Sequence, residues 1–408
     1  MRLLILTQYY PPEIGAPQTR LAAFAKALTA RGVDVEVVTA MPHHLVGRVF
    51  PTHRGKLFAR EEWDGIPVRR TWVYAATGTG IRRLFNYGSF TFTSFFGMIG
   101  ARRPDIVFVE SPPLFLALRA TLSARLHGAA MIFNVADLWP DAIRQLGMFP
   151  EGHPVLRVAE ALEAFAYWAS KFVTTVTDGM VEVLTTKKRV PAHKVLFLPN
   201  GVDLQLFRPA PPSDDVRREL DVRADDALYV YAGTHGVAQG LETLVQAAAL
   251  VRDEGIVVAL IGDGHTKAAM RELAGRLNAT NVRFVATQPL TRMPAYFSTA
   301  TASIVPLIRN DFAKEARPSK MFPSLACGVP IIFSGDGESA HLVRDNDVGL
   351  VVPPESPAEL AAAMRAMREA AVRRRLSVNA RRLAENRFDW NRIVEDWLSE
   401  LRRRTAEA

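Results

Sequence analysis

Residues 1–39 read MRLLILTQYYPPEIGAPQTRLAAFAKALTARGVDVEVVT and contain one complete strand–helix–strand unit. The apolar run at 1–7 predicts a buried strand. Residues 19–31 carry apolar side chains at helical spacing as far as Gly32, a residue that commonly ends a helix. Residues 33–39 predict the next strand. Because two strands joined through a helix usually lie parallel in one sheet, this stretch predicts an α/β fold.

The same alternation of strands and helices continues along the chain and restarts once. Further strands are predicted at 68–73, 106–109, 131–135, 173–176, 195–198, 228–231, 256–261, 282–285, 302–306, 330–333 and 349–351. A Pro-Asn-Gly turn at 199–201 separates the two series. We therefore expect two doubly wound, Rossmann-like α/β domains that face a central cleft, with residues 1–205 forming the first and 206–387 the second. The final helix, at 388–408, has an apolar stripe and is expected to pack back on the first domain.

Composition narrows the class of protein. The chain has 408 residues with 50 Lys and Arg against 42 Asp and Glu, a net charge of +8. This balance permits an anionic partner such as nucleotide phosphates, lipid head groups or nucleic acid, without choosing among them. Cys327 is the single cysteine, which excludes an intramolecular disulfide and a thiolate metal cluster. No signal-peptide or membrane-span pattern is present, so we expect a cytoplasmic protein, with peripheral membrane attachment left open.

Ligands of open α/β sheets bind at the carboxyl ends of the strands, so the loops there are the candidate sites. After the first strand, Gly15 and Ala16 leave room for close approach to a helix start, where free N–H groups suit a diphosphate. After the strand at 228–231, Gly233 and Gly236 lie in a loop that leads into a helix. His235 in that loop is either a ligand contact or a structural histidine, and both loops also fit ordinary turns.

The segment KEARPSKMFPSLACGVP, residues 314–330, gathers charges near a predicted helix start. Glu315, Arg317 and Lys320 surround a Pro-Ser pair that contains Ser319. A cation in the first turn of a helix opposes the helix dipole, and an anionic ligand would remove that conflict. The alternative is a solvated, charged turn.

The segment ADLWPD at 136–141 follows a strand and places two carboxylates beside an aromatic side chain. Asp137 and Asp141 flank Trp139 in a pattern that suits sugar binding or general acid–base catalysis, or alternatively a helix cap. The adjacent pair His43-His44 lacks the spacing of a metal site, and no HExxH motif occurs. We therefore expect no metal.

Taken together, these segments resemble the retaining glycosyltransferases of family 4, which have the two-domain GT-B architecture. The resemblance runs over most of the chain. It is carried by the opening stretch and by RPDIVFVESPPLFLAL (103–118), DLWPDAIRQLG (137–147), LPNGVDLQLFRP (198–209), YAGTHGVAQGLETL (231–244) and RPSKMFPSLACGVPIIFSG (317–335). DLWPD and AQGLETL are most similar to the bacterial surface-polysaccharide branch, which includes N-acetyl-L-fucosamine transferases.

The resemblance implies a reaction and a set of site residues. A nucleotide-diphosphate sugar, with UDP favoured and an N-acetylated or deoxy sugar expected, would bind the C-terminal half. A lipid-linked or saccharide acceptor would bind the N-terminal half. Transfer would retain the anomeric configuration, with no metal and no cofactor. It implies Glu315 at the donor sugar and Asp137 near the acceptor as catalytic residues. The implied donor-binding residues are Gly15, Ala16, Gly233, Thr234, His235, Gly236, Gln239, Arg317, Ser319 and Lys320.

The sequence departs from the family pattern at two places. The second glutamate of the family's E-x7-E pair falls at Pro323, so ribose recognition is expected to differ. The family's basic pair falls at Thr234 and Gln239, which leaves the diphosphate charge to Lys320 and Arg317. Two other readings remain open: a UDP-sugar 2-epimerase of the same architecture, and a non-catalytic nucleotide-sugar-binding scaffold.

Residues 81–103, IRRLFNYGSFTFTSFFGMIGARR, are apolar and aromatic with arginines at both ends. The segment predicts either a buried helix or a helix at the interface of an anionic membrane. Nucleic acid is not expected as a partner, because the sequence shows no binding fold for it and its cations are dispersed.

Overall fold

The computed structural model describes residues 1–43, 47–76, 80–141, 150, 152–310, 314 and 317–407. The chain divides into two compact units. The first unit contains Met1–Asn200 and Asn391–Ala408, and the second contains Gly201–Trp390. Each is described by itself.

The first unit is built on an eight-stranded sheet in the order β3-β4-β2-β1-β5-β6-β7-β8. Its strands are β1 (Arg2–Leu6), β2 (Asp34–Ala40), β3 (Phe58–Trp63), β4 (Ile66–Thr71), β5 (Ile106–Ser111), β6 (Ala130–Val135), β7 (Phe172–Thr175) and β8 (Val195–Phe197). All neighbours pair in parallel except β3 and β4, which are antiparallel. The central strands β1 and β5 are rich in Val, Ile and Leu and are buried except for Arg2, as strands covered on both faces should be.

Helices connect these parallel strands. They are α1 (Ala16–Thr29), α2 (Ile81–Ile99), α3 (Leu116–His127), α4 (Pro154–Ala169) and α5 (Asp178–Glu182), the last continued by a wider turn at Val183–Lys187. Short 3-10 turns lie at Pro51–His53 and Ala192–Lys194.

The second unit contains a six-stranded parallel sheet in the order β11-β10-β9-β12-β13-β14. Its strands are β9 (Ala227–Ala232), β10 (Ile256–Ile261), β11 (Val282–Val285), β12 (Ala302–Pro306), β13 (Ile331–Ser334) and β14 (Gly349–Val352). Its helices are α6 (Asp214–Glu219), α7 (Leu241–Leu250), α8 (Lys267–Arg276), α9 (Met293–Thr299), α10 (Met321–Ala326), α11 (Glu338–Asp345), α12 (Pro357–Ala366) and α13 (Ala370–Arg387), with 3-10 turns at Val237–Gln239 and Leu290–Arg292. Apolar cores lie on both faces of this sheet.

The last helix, α14 (Trp390–Ala406), begins at the end of the second unit and runs within the first. Its apolar stripe is buried. The Trp397 ring meets Phe24 of α1 and Phe108 of β5 edge-on, at centroid distances of 5.4 and 6.3 Å. Near the other end, Arg404 donates to the Val195 carbonyl at 2.8 Å. The helix is thus part of the core of the first unit.

Strand β3 was not predicted. It lies at the edge of its sheet, and its alternately exposed residues are Phe58, Arg60 and Glu62. An edge strand with charged side chains lacks the apolar run that marks a buried strand. Between β8 and β9 lies the short helix α6, which Ser213 caps by accepting the Val216 N–H at 3.4 Å. Over the described ranges, no helix is both long and apolar enough to cross a bilayer.

Candidate functional site

The loop after β9 in the second unit brings together several of the predicted donor-binding residues. Tyr231, at the end of β9, donates from its hydroxyl to the Thr234 carbonyl at 2.6 Å. The Lys320 ammonium donates to that hydroxyl at 3.0 Å and to Gln239 Oε1, and it lies 4.4 Å from the centroid of the Tyr231 ring. Gly233 lies beside the end of the Lys320 side chain. We call Tyr231, Gln239 and Lys320 the lysine cluster.

The electrostatics of the lysine cluster favour an anion. The hydrogen-bond partners of Lys320 in the cluster are a phenol and an amide, both uncharged. Burial lowers the pKa of Lys320 to about 7, because the ammonium loses hydration. Lys320 immediately precedes α10, one position before the first turn where it was predicted. Among the described residues no carboxylate bonds this ammonium, and an anionic ligand would supply a charge partner.

Two glycines of the turn after β10 hold the loop after β9 in place. In the turn after β10, a Cβ on Gly262 would lie 2.0 Å from the Gly233 carbonyl oxygen, and a Cβ on Gly264 would lie 2.3 Å from that of His235. Both separations are far below a normal contact. The two loops therefore pack backbone to backbone, and only glycine permits this approach.

His235 lies beneath this loop with no solvent exposure. The backbone N–H of His235 donates to the Asp263 carbonyl at 2.8 Å. The centroid of its ring lies 5.8 Å from that of Tyr231, in an edge-on arrangement. Neither ring nitrogen has a hydrogen-bond partner among the described residues. Burial, followed by the nearby Lys267 charge, lowers the pKa of His235 to about 4, so the ring is neutral at physiological pH. Gly236, by contrast, lies on the loop beside His265.

The remaining predicted residues of the second unit have different surroundings. Arg317 is buried and forms an ion pair with Glu338, the first residue of α11. The Ser319 carbonyl accepts the Phe322 N–H at 3.3 Å. Glu315 lies outside the described residues. Pro323, which stands where the family has its second glutamate, is the third residue of α10.

Gly15 and Ala16 lie in the first unit, at the start of α1. Ala16 is exposed, and the Gly15 carbonyl accepts the Thr19 N–H at 3.1 Å. The buried side chain of Gln18 folds against Gly15, where a Cβ would lie 2.4 Å from the Gln18 Oε1 atom. Gly15 therefore leaves room for the Gln18 side chain, and its extended backbone is one that any residue adopts.

Asp137 follows β6 in the first unit and is exposed at its surface. The dense protein around it raises the pKa of its carboxyl by desolvation, while the Arg20 charge acts in the opposite direction. The neighbouring Asp141 carboxylate accepts from Lys188 at 2.8 Å, and the same ammonium bonds Glu163. Asp137 is thus the more available of the two carboxylates.

A buried polar row next to Asp137 was not predicted. Arg20 of α1 forms an ion pair with Glu110 of β5, and Asn134 of β6 donates to the same carboxylate at 2.7 Å. Thr174 of β7 donates to Asn134 Oδ1, also at 2.7 Å. The three strand residues share one register across the sheet. The one signal for it in the sequence is Glu110, a charge inside an otherwise apolar strand.

His43 belongs to a second buried network that the sequence did not reveal. Its Nδ1 lies 2.8 Å from the Met41 carbonyl, which can only accept, and its Nε2 lies 3.0 Å from the Asn86 amide nitrogen, which can only donate. The ring is therefore neutral, with its proton on Nδ1. Burial lowers the pKa of His43 in agreement. The backbone N–H of His43 donates to the Glu13 carboxylate at 2.6 Å, and this bond joins the loops after β1 and β2.

These residues form two separate groups. The lysine cluster and the glycine turn after β10 lie at the carboxyl edge of the second sheet. Gly15, Ala16 and Asp137 lie at the carboxyl edge of the first sheet. Within the ranges that the structure covers, no three His, Cys, Asp or Glu side chains are grouped as metal ligands would be.

Comparisons with known proteins match both halves of the chain. Residues 15–201 match the family described as "Glycosyl transferase 4-like domain", and residues 212–383 match "Glycosyl transferases group 1". A colanic acid biosynthesis glycosyl transferase of Escherichia coli strain K12, WcaI, is 27% identical over 411 residues, which cover 98% of this chain and 100% of the relative.

Solved structures share the fold. Sucrose-phosphate synthase from Thermosynechococcus elongatus superposes with a TM-score of 0.76 at 20% identity and covers 100% of both chains. Anabaena Alr3699/HepE in complex with UDP-glucose gives a TM-score of 0.74 at 18% identity and covers 98% of this chain and 99% of that one. With the two parallel sheets, these likenesses confirm the predicted fold class.

Proposed function

We propose that this chain, which belongs to the family 4 glycosyltransferases, moves a sugar from a nucleotide-diphosphate sugar to a saccharide or lipid-linked acceptor. The lysine cluster is the observation that carries the donor side of the proposal, since it places a cation with uncharged partners at the carboxyl edge of the second sheet. The name of the E. coli relative supports a role in bacterial surface polysaccharide synthesis. The UDP-glucose complex of the Anabaena protein supports a UDP-sugar as donor.

In the proposed reaction, the bond between the anomeric carbon and the diphosphate oxygen breaks, and the acceptor oxygen bonds to the same face of that carbon. The leaving diphosphate carries the negative charge, which Lys320 is placed to stabilise. Preorganised charge stabilisation of this kind contributes several kcal/mol of a barrier reduction, about 3–4 kcal/mol for one well-placed donor. Retention and metal independence enter the proposal from the family resemblance alone.

Two carboxylates complete the proposed machinery. Glu315 is assigned to the donor sugar from the family motif that it matches. Asp137 is assigned to the acceptor side because it is exposed after β6 and its raised pKa makes the carboxylate a better proton acceptor than an ordinary aspartate. Arg317 is ion-paired with Glu338, so Lys320 carries more of the proposed diphosphate contact.

The experiment is a nucleotide panel followed by a turnover assay. Thermal melting with UDP, GDP and CMP should show selective stabilisation by UDP, about 2.7 kcal/mol at a hundred times the dissociation constant. UDP-sugar turnover should then fall about a hundredfold or more in Glu315→Gln while UDP affinity stays near the wild-type value.

Three results would contradict the proposal. If none of the nucleotides raised the melting temperature, the proposed donor site would be wrong. UDP binding without turnover of any UDP-sugar would identify a nucleotide-sugar-binding scaffold, in which Pro323 replaces a functional glutamate. Release of a free 2-epimerised sugar nucleotide would identify an epimerase.

A further inference from the structure

Helix α2 presents its more aromatic side to solvent. Its inner side carries Asn86, Phe90 and Ser94, and Gly97 sits so close to the sheet that a Cβ would lie 2.8 Å from Val38 of β2. The outer stripe consists of Phe85, Phe92, Phe96 and Ile99, which are between 58% and 63% exposed. These four residues follow helical spacing. Of the two predictions made for residues 81–103, a buried helix describes only the inner side of α2.

Helix α3, which packs against α2, and helix α4, which packs against α3, also expose apolar side chains. The inner side of α3 contains Leu116 and small residues such as Ala117 and Ala124, while its other three leucines are exposed. The exposed apolar side chains of α3 and α4 are Leu118, Leu122, Leu126, Val158 and Trp168. Three neighbouring helices therefore share one apolar surface, which we call the outer face.

Contacts between the helices show that the outer face is continuous. Arg119 of α3 donates to the Thr91 carbonyl of α2 at 3.0 Å, and its guanidinium lies 6.0 Å from the centroid of the Phe92 ring. Arg125 of α3 lies 6.0 Å from the centroid of the Trp168 ring of α4. The exposed apolar side chains of the three helices are therefore linked by arginines that lie over aromatic rings, which makes them one grouped surface rather than scattered residues.

The charge around the outer face has one dominant sign. Residues 81–104 and 111–136, which include all of α2 and α3, contain no Asp or Glu but six arginines, Arg82, Arg83, Arg102, Arg103, Arg119 and Arg125. Helix α4 adds Glu160 and the buried Glu163, which is paired with Lys188. Arg82, Arg103 and Arg125 are exposed. Apolar side chains are therefore bordered by cations.

An open pocket of about 950 Å³ adjoins the outer face where α3 and α4 end. Arg125, Lys171 and Lys194 contribute cations to its lining, while the lining residues Arg403 and Arg404 are ion-paired with Glu407 and Glu400. The pocket is wide enough for a phosphate-bearing head group. It adds a second, independent sign that the partner is anionic.

We propose that the outer face of α2, α3 and α4 docks the chain on an anionic phospholipid bilayer, with the aromatic stripe among the acyl chains and the arginines at the phosphates. Exposed apolar helices flanked by arginine are suited to such an interface. A second copy of the chain is a poorer occupant, because pairing this face with itself would oppose like charges. Docking on a membrane does not depend on the chain being an enzyme. The further step, that docking brings the chain to a lipid-linked acceptor, rests on the proposed function.

The test is co-sedimentation of the full chain with vesicles of phosphatidylcholine alone and of an equimolar mixture with phosphatidylglycerol. We expect binding to the mixed vesicles, weakened by salt, and about a tenfold or greater loss of partitioning in the triple variant Phe85→Ser, Phe92→Ser, Phe96→Ser. A matched triple variant, Leu250→Ser, Leu290→Ser, Val378→Ser, removes exposed apolar side chains of the second unit. It should bind like the wild type.

UDP affinity of each variant separates this proposal from the proposed function, because the outer face is remote from the lysine cluster in sequence and unit. Loss of vesicle binding with unchanged UDP affinity supports docking. Absence of wild-type binding to the mixed vesicles, or equal losses in the two triple variants, overturns it. So does a dimer in light scattering that the aromatic variant abolishes, since that result would assign the face to a second copy of the chain.

Discussion

Lys320 is the residue on which the donor site depends. Within the part of the chain that the structure describes, its ammonium contacts two uncharged groups, the Tyr231 hydroxyl and the Gln239 amide. We expect Lys320→Met to weaken UDP binding between about tenfold and a hundredfold, the value of one charge-assisted contact of about 1.5–3 kcal/mol. Calorimetric titration measures the effect. Lys56→Met, at an exposed lysine of the first unit, is the control and should bind UDP normally. Equal affinities in both variants would move the diphosphate elsewhere.

The pH dependence of UDP binding follows from the same lysine. Its pKa is about 7 in the folded chain, so much of it is neutral just above that pH. A diphosphate favours the charged ammonium and raises its pKa, so binding takes up a proton. UDP affinity should therefore fall as pH rises from about 7 toward the ordinary lysine pKa of about 10.4. In Lys320→Met this decline should vanish; a decline that persists in the variant would assign it to another group.

His235 predicts how the folded chain responds to acid. Its pKa is about 4 when folded and its ordinary value is 6.5, so the unfolded chain binds a proton first as pH falls. The free energy of unfolding should thus decrease progressively from pH about 6.5 down to about 4, with His43 acting in the same direction. Urea unfolding followed at pH about 7.5 and about 5 measures this. His235→Phe should lose less stability between the two pH values than the wild type. An identical loss would exclude His235 as a source.

At the scale of elements, the lysine cluster depends on the loops after β9 and β10, which contact each other through glycines. A Cβ at Gly264 would fall 2.3 Å from the His235 carbonyl oxygen, where backbone has nowhere to move. Gly264→Ala should therefore destabilise the chain by more than about 2 kcal/mol and abolish UDP binding. Gly275→Ala is the matched control, since it lies in α8 with open space around its Cα. That variant should gain about 0.5–1 kcal/mol and bind UDP normally, as thermal melting and calorimetry will show. Similar behaviour of the two variants would refute the close approach.

At the scale of the whole molecule, α14 connects the end of the chain to the core of the first unit. Trp397 is 2% exposed and packs between Phe24 and Phe108. Trp397→Ala should cost about 3–5 kcal/mol, as for other large buried aromatics. Hydrogen–deuterium exchange should then accelerate in β1 and β5 while β9 and β10 stay protected. Trp168→Ala, at a tryptophan that is 67% exposed, should leave both units unchanged. Equal exchange in the two variants would show that α14 does not stabilise the first unit.

Much of the fold could be predicted because its elements are local. Strands β10 and β12 occur at the residues where apolar runs predicted them. Because a parallel strand inside the sheet is covered on both faces, its sequence is a continuous run of apolar residues. The loops that bear Gly233 and Lys320 were found for the same reason, since they follow such strands or precede a helix start.

By itself, the sequence determined the two parallel α/β halves, the candidate loops at their carboxyl edges and the apolar stripe of the last helix. Short-range periodicity and turn residues specify these features. Tertiary structure alone decided which side of α2 faces water, that Gln239 and Tyr231 hold Lys320, and that Glu110, Asn134 and Thr174 form one row. Each of these depends on residues far apart in the chain meeting at one point. Pairing of distant side chains is set by strand order and helix packing, which no local pattern of residues records.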